Sequence, residues 1–381
     1  MGPVDDKIAA FLRACMQLLM LVCILILAGC VTRPSSTVLS PVTLKEVSAD
    51  KVTVLTATNR IFNGSSGGFE NAHAENMTFE RYDFSVPVER KNAVISYPTV
   101  KPDPSKQFIV LRRKQFQKDA FVQEAVRSAQ SDGTIGIFVH GYNYTYQEAL
   151  FRAAQIAADA KIPGAPILFA WPSAASVTGY VADRDAALAS RNELNSLIEA
   201  LSAPRPVKRI VLFGHSMGAF LVMETVRELR LQHRDDVIGK LVVVLAAPDI
   251  DVDVFRSQLK DIGTLLVPIS VLVSKDDRAL AASSLIAGER PRVGRVDVND
   301  PIITEAAMKG RLRVIDISSV GGTDRLGHDR YASLAKFGTQ FANFENGKRS
   351  TMSDVGAYVF DAAGAAVASP FRLAGQVFRS Q

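Results

Sequence analysis

The segment Gly214-His215-Ser216-Met217-Gly218 constrains this chain more than any other five residues. It follows the apolar run Ile210-Val211-Leu212-Phe213 and leads into Ala219-Phe220-Leu221-Val222-Met223, which reads as a buried helix. A serine flanked at two residues' distance by glycines, where a strand turns into a helix, has the form of a nucleophile elbow. Such a turn strains the serine backbone, and only glycine-sized neighbours let strand and helix approach closely. In a Gly/Ser-rich loop the same pattern is a plain turn. Here its flanks favour a reactive hydroxyl.

From Thr134 onward short apolar runs alternate with helical segments. Strands are expected at Ile135 to Val139, Pro166 to Ala170, Arg209 to Phe213, Leu241 to Leu245, Ile269 to Val273 and Leu312 to Ile317. Thr145-Tyr146-Gln147-Glu148 has capping-box spacing and opens a helix that runs to about Lys161, before Pro163-Gly164. Further helices are expected over Asp183 to Ala200, Met217 to Leu231 and Val252 to Leu259. Near-continuous apolar strands separated by helices predict an α/β fold: a doubly wound, mostly parallel sheet with helices on both faces. Upstream, Val52 to Thr58 reads as a strand, 63–76 as a Gly/Ser/Asn-rich loop, and 79–110 as short strands broken by prolines. Leu285 to Arg311 is irregular and reads as a surface excursion, with a lid over the site as the alternative.

The first thirty residues stand apart. Lys7 and Arg13 precede an apolar stretch from Ala14 to Ala28, followed by Gly29 and Cys30. This has the form of a secretory signal, and Cys30 directly after Ala28-Gly29 resembles a bacterial lipobox. Cleavage before Cys30 and acylation of that residue follow as expectations, with an uncleaved anchor as the alternative. The run is short beside the roughly 20 residues a spanning helix needs. The three cysteines are Cys15, Cys23 and Cys30, so a cleaved chain keeps one and carries no disulfide framework. Val31 is not the aspartate that would suggest inner-membrane retention, so the expected location is the outer membrane, facing the periplasm. The expected division is a signal at 1–29, a flexible tether at 30–45, an α/β domain at 46–345 (N-terminal strands 46–130, core 131–345) and a tail at 346–381. Charged residues in the tail argue against a spanning helix there, while surface contact with lipid stays open. A net charge of +5, spread along the chain, gives no case for nucleic-acid binding.

A serine hydroxyl needs a base, and the base needs a partner that fixes its tautomer. Among five histidines, His328 in Gly327-His328-Asp329 follows the last core strand, where such a sheet delivers an imidazole to its elbow. The acid should lie between serine and histidine in the chain. Asp277 is preferred and Asp276 is the alternative, since one of the two caps a helix; Asp249, Asp251 and Asp253 stand in reserve. Backbone donors for an oxyanion are expected from Met217, just after the serine, and from Tyr142 in the His140-Gly141-Tyr142-Asn143 turn. His140, Gly141 and Trp171 are candidate pocket residues, although Trp171 fits a core position equally well. Tyr180 and Asp183 are expected near the same rim. No sequence motif for metal or nucleotide binding is present, so no cofactor is expected.

These motifs resemble the α/β-hydrolases and, within them, a bacterial DUF900-like group. The resemblance rests on Thr56-Ala57-Thr58-Asn59-Arg60, His140-Gly141-Tyr142-Asn143, Ala170-Trp171-Pro172-Ser173, the elbow, Asp277-Arg278-Ala279-Leu280 and His328. It spans about Val52 to Phe341 and implies a Ser216-His328-Asp277 triad acting through an acyl-enzyme. The expected substrate is a small-molecule or lipid carboxylic ester, with peptidase, amidase or thioesterase chemistry as alternatives. A non-catalytic envelope scaffold is the rival from another class. Oligomeric state is not legible.

Overall fold

The elbow strand lies at the middle of a sheet of eleven strands. The computed structural model describes residues 33–44, 50–91, 93–297 and 311–334, plus the backbone of strands at 358–360 and 366–367. The strands are β1 (Lys51–Asn63), β2 (Gly68–Ser85), β3 (Ile109–Phe116), β4 (Thr134–Val139), β5 (Ile167–Ala170), β6 (Arg209–His215), β7 (Leu241–Ala246), β8 (Ile269–Val273), β9 (Leu312–Asp316), β10 (Tyr358–Phe360) and β11 (Ala366–Val367). Their order across the sheet is β11-β10-β9-β8-β7-β6-β4-β5-β1-β2-β3. From β1 to β9 neighbouring strands run parallel, and the outer pairs on each side are antiparallel.

The helices are α1 (Lys118–Arg127), α2 (Tyr146–Asp159), α3 (Tyr180–Ala189), α4 (Arg191–Ser202), α5 (Met217–Leu231), α6 (Asp235–Ile238), α7 (Val252–Ile262), α8 (Arg278–Ile286) and α9 (Arg330–Leu334). They cover both faces of the sheet. Ile135, Ile137 and Val139 of β4 join α4 and α5 in one core, while Phe138 of the same strand joins α2 and α9 in the other. Period-two alternation thus feeds two apolar layers from a single strand, which is why these strands read as continuously hydrophobic. The expected capping box closes α2: Glu148 N donates to Thr145 Oγ1, and Thr145 N donates to Glu148 Oε2.

Several expectations need correction. The segment 63–76 is not a loop. Past a short turn, β2 pairs with β1 through the registers Asn63↔Gly68, Phe62↔Phe69 and Arg60↔His73. Its polar side chains are mostly exposed, so backbone pairing rather than burial holds this stretch extended. The helix expected over 183–200 is two helices, α3 and α4, meeting at Ser190. Helix α1 lies where only strands were expected; two buried side chains one turn apart, Phe121 and Ala125, leave little periodic signal. Part of the segment expected as a tether is docked on the fold. Ser36–Leu39 form a 3-10 turn with Leu39 fully buried, and Val42 N donates to Val110 O. The tail contributes β10, which pairs antiparallel to β9 through Tyr358↔Asp316, and β11 beyond it. Within 285–311, the described part reaching 297 is docked rather than a surface excursion: Arg292 and Val293 are buried, and Gly294 abuts Ala247 and Pro248. The expected signal, Cys30 and residues 298–310 lie outside the described residues. Among the described residues no helix is long and apolar enough to cross a membrane.

Candidate active site

Strand β4 leads through α2 to β5 on one side, whereas β6 leads through α5 to β7 on the other. Loops leaving the carboxyl ends of β4 and β6 therefore diverge and leave a crevice, the usual ligand position in open α/β sheets. Ser216 stands at that point. Its φ of 55° and ψ of −119° put a non-glycine residue in a region costing about 1–3 kcal/mol. The surroundings hold it there: Ser216 N donates to Ala246 O at 2.9 Å, and its carbonyl accepts from Ala219 N and Asp249 N.

The flanking glycines are required by close approach. A Cβ on Gly214 would meet Ala219 Cα at 2.7 Å, and one on Gly218 would meet His140 O at 2.3 Å and Val139 O at 2.4 Å. Gly141 presses the β4 loop onto the elbow, since its Cβ would lie 2.9 Å from Ser216 Cβ. Tyr142 is the next residue, and Met217 is the first of α5, so its amide has no intrahelical acceptor.

His328 arrives from the loop after β9. Its Nδ1 lies 2.7 Å from Asp277 Oδ2, and Asp277 is fully buried with Oδ1 accepting from Leu280 N at the start of α8. Burial penalises a charged His328 ring, but the Asp277 hydrogen bond and charge outweigh it, and the ring is held above the ordinary imidazole value. Asp276 faces elsewhere, accepting from Ser274 Oγ and Arg330 Nη2. The His328 ring lies 4.7 Å from the ring of His215, the residue preceding Ser216. His215 Nε2 donates to the His328 carbonyl at 3.4 Å, and its ring stacks on Tyr331. Burial drives His215 well below the usual imidazole range, so it is a neutral brace for the His328 loop. Among the described residues the Ser216 hydroxyl has no hydrogen-bond partner; in ligand-free sites this bond often tightens only with substrate.

The reserve acids serve other partners. Asp249 accepts from Ser283 Oγ and lies 3.2 Å from Arg292 Nε, and Arg292 Nη2 also reaches Tyr180 OH and Ser283 O. Asp251 caps α7 and binds Arg290, while exposed Asp253 pairs with Arg256.

Two of the expected pocket residues, His140 and Trp171, pack against each other beneath the rim. Trp171 and His140 are fully buried and so offer a substrate no surface. Their rings stack at 4.9 Å, and Trp171 Nε1 donates to His140 O at 2.8 Å. Burial, helped by the Arg60 charge, lowers His140 to about 3. Neutral His140 therefore donates to one of the two carbonyls beside it, Gly141 O or Trp171 O. Asp183 is buried near the rim, where it joins loops. Its carboxylate accepts from Asn143 N, Ser173 Oγ and Ala174 N. Arg60, buried behind them, donates to Tyr144 O and Asn71 Oδ1, and burial lowers it to about 9. The structural work of Arg60 and Ser173 carried no sequence signal beyond their place in the family-like motifs. Among the described residues no group of three or more His, Cys, Asp or Glu is placed to hold a metal ion.

No curated protein matches this chain at a significant level. Among solved structures, esterase Est22 resembles it at TM-score 0.37 and 12% identity over 77% of this chain and 82% of that one. A putative hydrolase from Agrobacterium vitis S4 does so at TM-score 0.27 and 13% identity over 65% and 87%. Neither superposition is close enough to carry a functional argument. The family model described as an alpha/beta hydrolase of unknown function matches residues 114–343, from the end of β3 to beyond α9. This span takes in the elbow, the His140–Asn143 turn, Asp277 and His328, and the chain belongs to that family, DUF900.

Proposed function

We propose that the chain is a serine hydrolase that cleaves carboxylic esters through an acyl-enzyme. Ser216 Oγ attacks the ester carbonyl and passes its proton to His328 Nε2, while Nδ1–H donates to Asp277 and holds the imidazolium upright. The amides of Met217 and Tyr142 receive the oxyanion. His328 then protonates the leaving alcohol. Water, deprotonated by the same ring, hydrolyses the acyl-Ser216 bond, and the carboxylic acid departs. The observation that carries this reading is the 2.7 Å contact between His328 and fully buried Asp277, beside a serine held at φ 55°.

The same triad would also serve thioesters or amides, and graded acyl esters, thioesters and anilides would rank these substrates. The reading includes acylation of Cys30 and an outer-membrane location facing the periplasm. The decisive experiment is labelling by a fluorophosphonate probe. Wild type should label at Ser216 and Ser216→Ala should not; folded wild-type protein that resists the probe would leave the scaffold reading standing.

A further inference from the structure

Six exposed large apolar side chains lie on segments near the elbow. Val177 and Val181 follow β5, Leu285 and Ile286 end the helix after β8, and Leu326 precedes His328 after β9. Phe62 lies where β1 runs past its parallel partner β5, whose pairing ends at Thr58↔Ala170. All six therefore belong to segments at the carboxyl edge of the sheet, the edge that carries Ser216. Several are largely bare: Val177 is 74% exposed, Leu285 68% and Val181 67%. They are also linked around the crevice. Tyr142 OH donates to Val177 O, Tyr142 packs edge-on to Tyr180, Tyr180 OH meets Arg292, and Arg278 N donates to Leu326 O. Arg278 and Arg325, both exposed, sit beside Leu326. Elsewhere, exposed Val88, Val100, Leu188, Leu231 and Leu266 stand on separate segments, as surface aliphatics commonly do, with no lipid attachment point near them in the chain.

The path of the N-terminal chain gives this rim an occupant. Ser36 Oγ donates to Ser66 O, and a Cβ on Gly68 would meet Ser36 Cβ at 2.5 Å. The chain thus enters the fold at the tip of the β1–β2 hairpin, which projects from the same carboxyl edge. Ser36 lies six residues after Cys30, a reach of at most about 20 Å. A lipid on Cys30 would hold this edge, rather than the opposite one, against the bilayer.

We propose that the carboxyl edge docks on an anionic phospholipid surface through the Phe62, Val177/Val181, Leu285/Ile286 and Leu326 rim, so that Ser216 draws its esters from the membrane. The aliphatic tips enter the headgroup boundary, while Arg278 and Arg325 meet lipid phosphates. The substrate class deepens the hydrolase reading and rests on it; the docking does not.

The test uses the full chain on vesicles of phosphatidylethanolamine and phosphatidylglycerol. Benzoylphenylalanine, a photocrosslinker, is placed singly at positions 181, 285, 231 and 266, all exposed. Irradiation should attach phospholipid at 181 and 285 and not at 231 or 266. Adducts at none of them, or equally at all four, overturn the docking. In parallel, Leu285→Glu combined with Ile286→Glu should leave turnover of a water-soluble short-chain ester unchanged. Hydrolysis of a vesicle-embedded ester should fall about 100-fold or more, the size expected from losing two buried aliphatic side chains. Equal effects on both substrates would also overturn it. Failure of the fluorophosphonate probe to label Ser216 would sink the hydrolase reading, with the crosslinking result still deciding the docking.

Discussion

Replacing Gly218 by alanine sets two known effects against each other. Alanine within a helix ordinarily gains up to about 1 kcal/mol over glycine. At Gly218 the new methyl would lie 2.3 Å and 2.4 Å from the carbonyl oxygens of His140 and Val139. Ordinary carbon–oxygen contacts are near 3.3 Å, so α5 or the end of β4 must move by about 1 Å. Both obstacles are backbone, so no side chain can rotate away. Overpacking of this kind costs about 3 kcal/mol, the upper end of the usual range, and it wins by about 2 kcal/mol. For a domain of about 300 residues the melting temperature should fall by about 3 °C. The displaced atoms carry the His140–Tyr142 turn, and a 1 Å misplacement should slow fluorophosphonate labelling of Ser216 by about 100-fold. Gly136 in β4 is the control, because its Cβ would meet no atom within 4 Å; Gly136→Ala should label like wild type. Thermal unfolding and labelling rates, measured together, decide the matter. A Gly218→Ala protein that melts at or above the wild-type temperature and labels at the wild-type rate would refute the close-approach argument.

Further outcomes are expected at three other positions. His328 is held above 6.5 by Asp277 against its own burial, so the acidic limb of kcat/KM should lie above that value, where the base becomes neutral. In Asp277→Asn the limb should move to lower pH and the rate should drop by roughly 10⁴-fold. Because the folded pKa of this histidine is raised, its pair stabilises the fold below the unfolded value and loses that effect as pH rises through the folded one. The stability gap between wild type and Asp277→Asn should therefore be larger near pH 5 than near pH 9 in denaturant titrations. Asp183→Ala strands Asn143 N, Ser173 Oγ and Ala174 N, and should cost about 3 kcal/mol while lowering kcat more than it raises KM. Arg292→Met leaves Asp249 buried without its cation and should destabilise by about 3–5 kcal/mol; adding Asp249→Asn should recover much of that loss in the same unfolding assay.

The parallel core was legible because its signals are local. Apolar runs such as Leu241 to Leu245 and the Thr145–Glu148 box announce their own conformation, and both appear where expected. Residues 70–76 were misread because a strand held by pairing to β1, with its side chains in water, carries the composition of a loop. The role of Trp171 was undecidable from its neighbours, since a residue beyond a strand end can face solvent or the next layer. The stacked His140 ring closes that choice.

Chain order alone pointed to Ser216, to His328 and to an acid at Asp276 or Asp277, because a nucleophile elbow and the loops after later strands follow from the succession of elements. Nothing in that succession could select Asp277 over Asp276, one residue apart, or send Asp249 to Arg292. Those outcomes depend on which carboxylate faces the arriving imidazole once seven parallel strands have fixed their twist and register. Local conformation is encoded within a few residues of the chain, whereas proton partners are chosen between segments about fifty residues apart, and only the packed sheet brings them within hydrogen-bond reach.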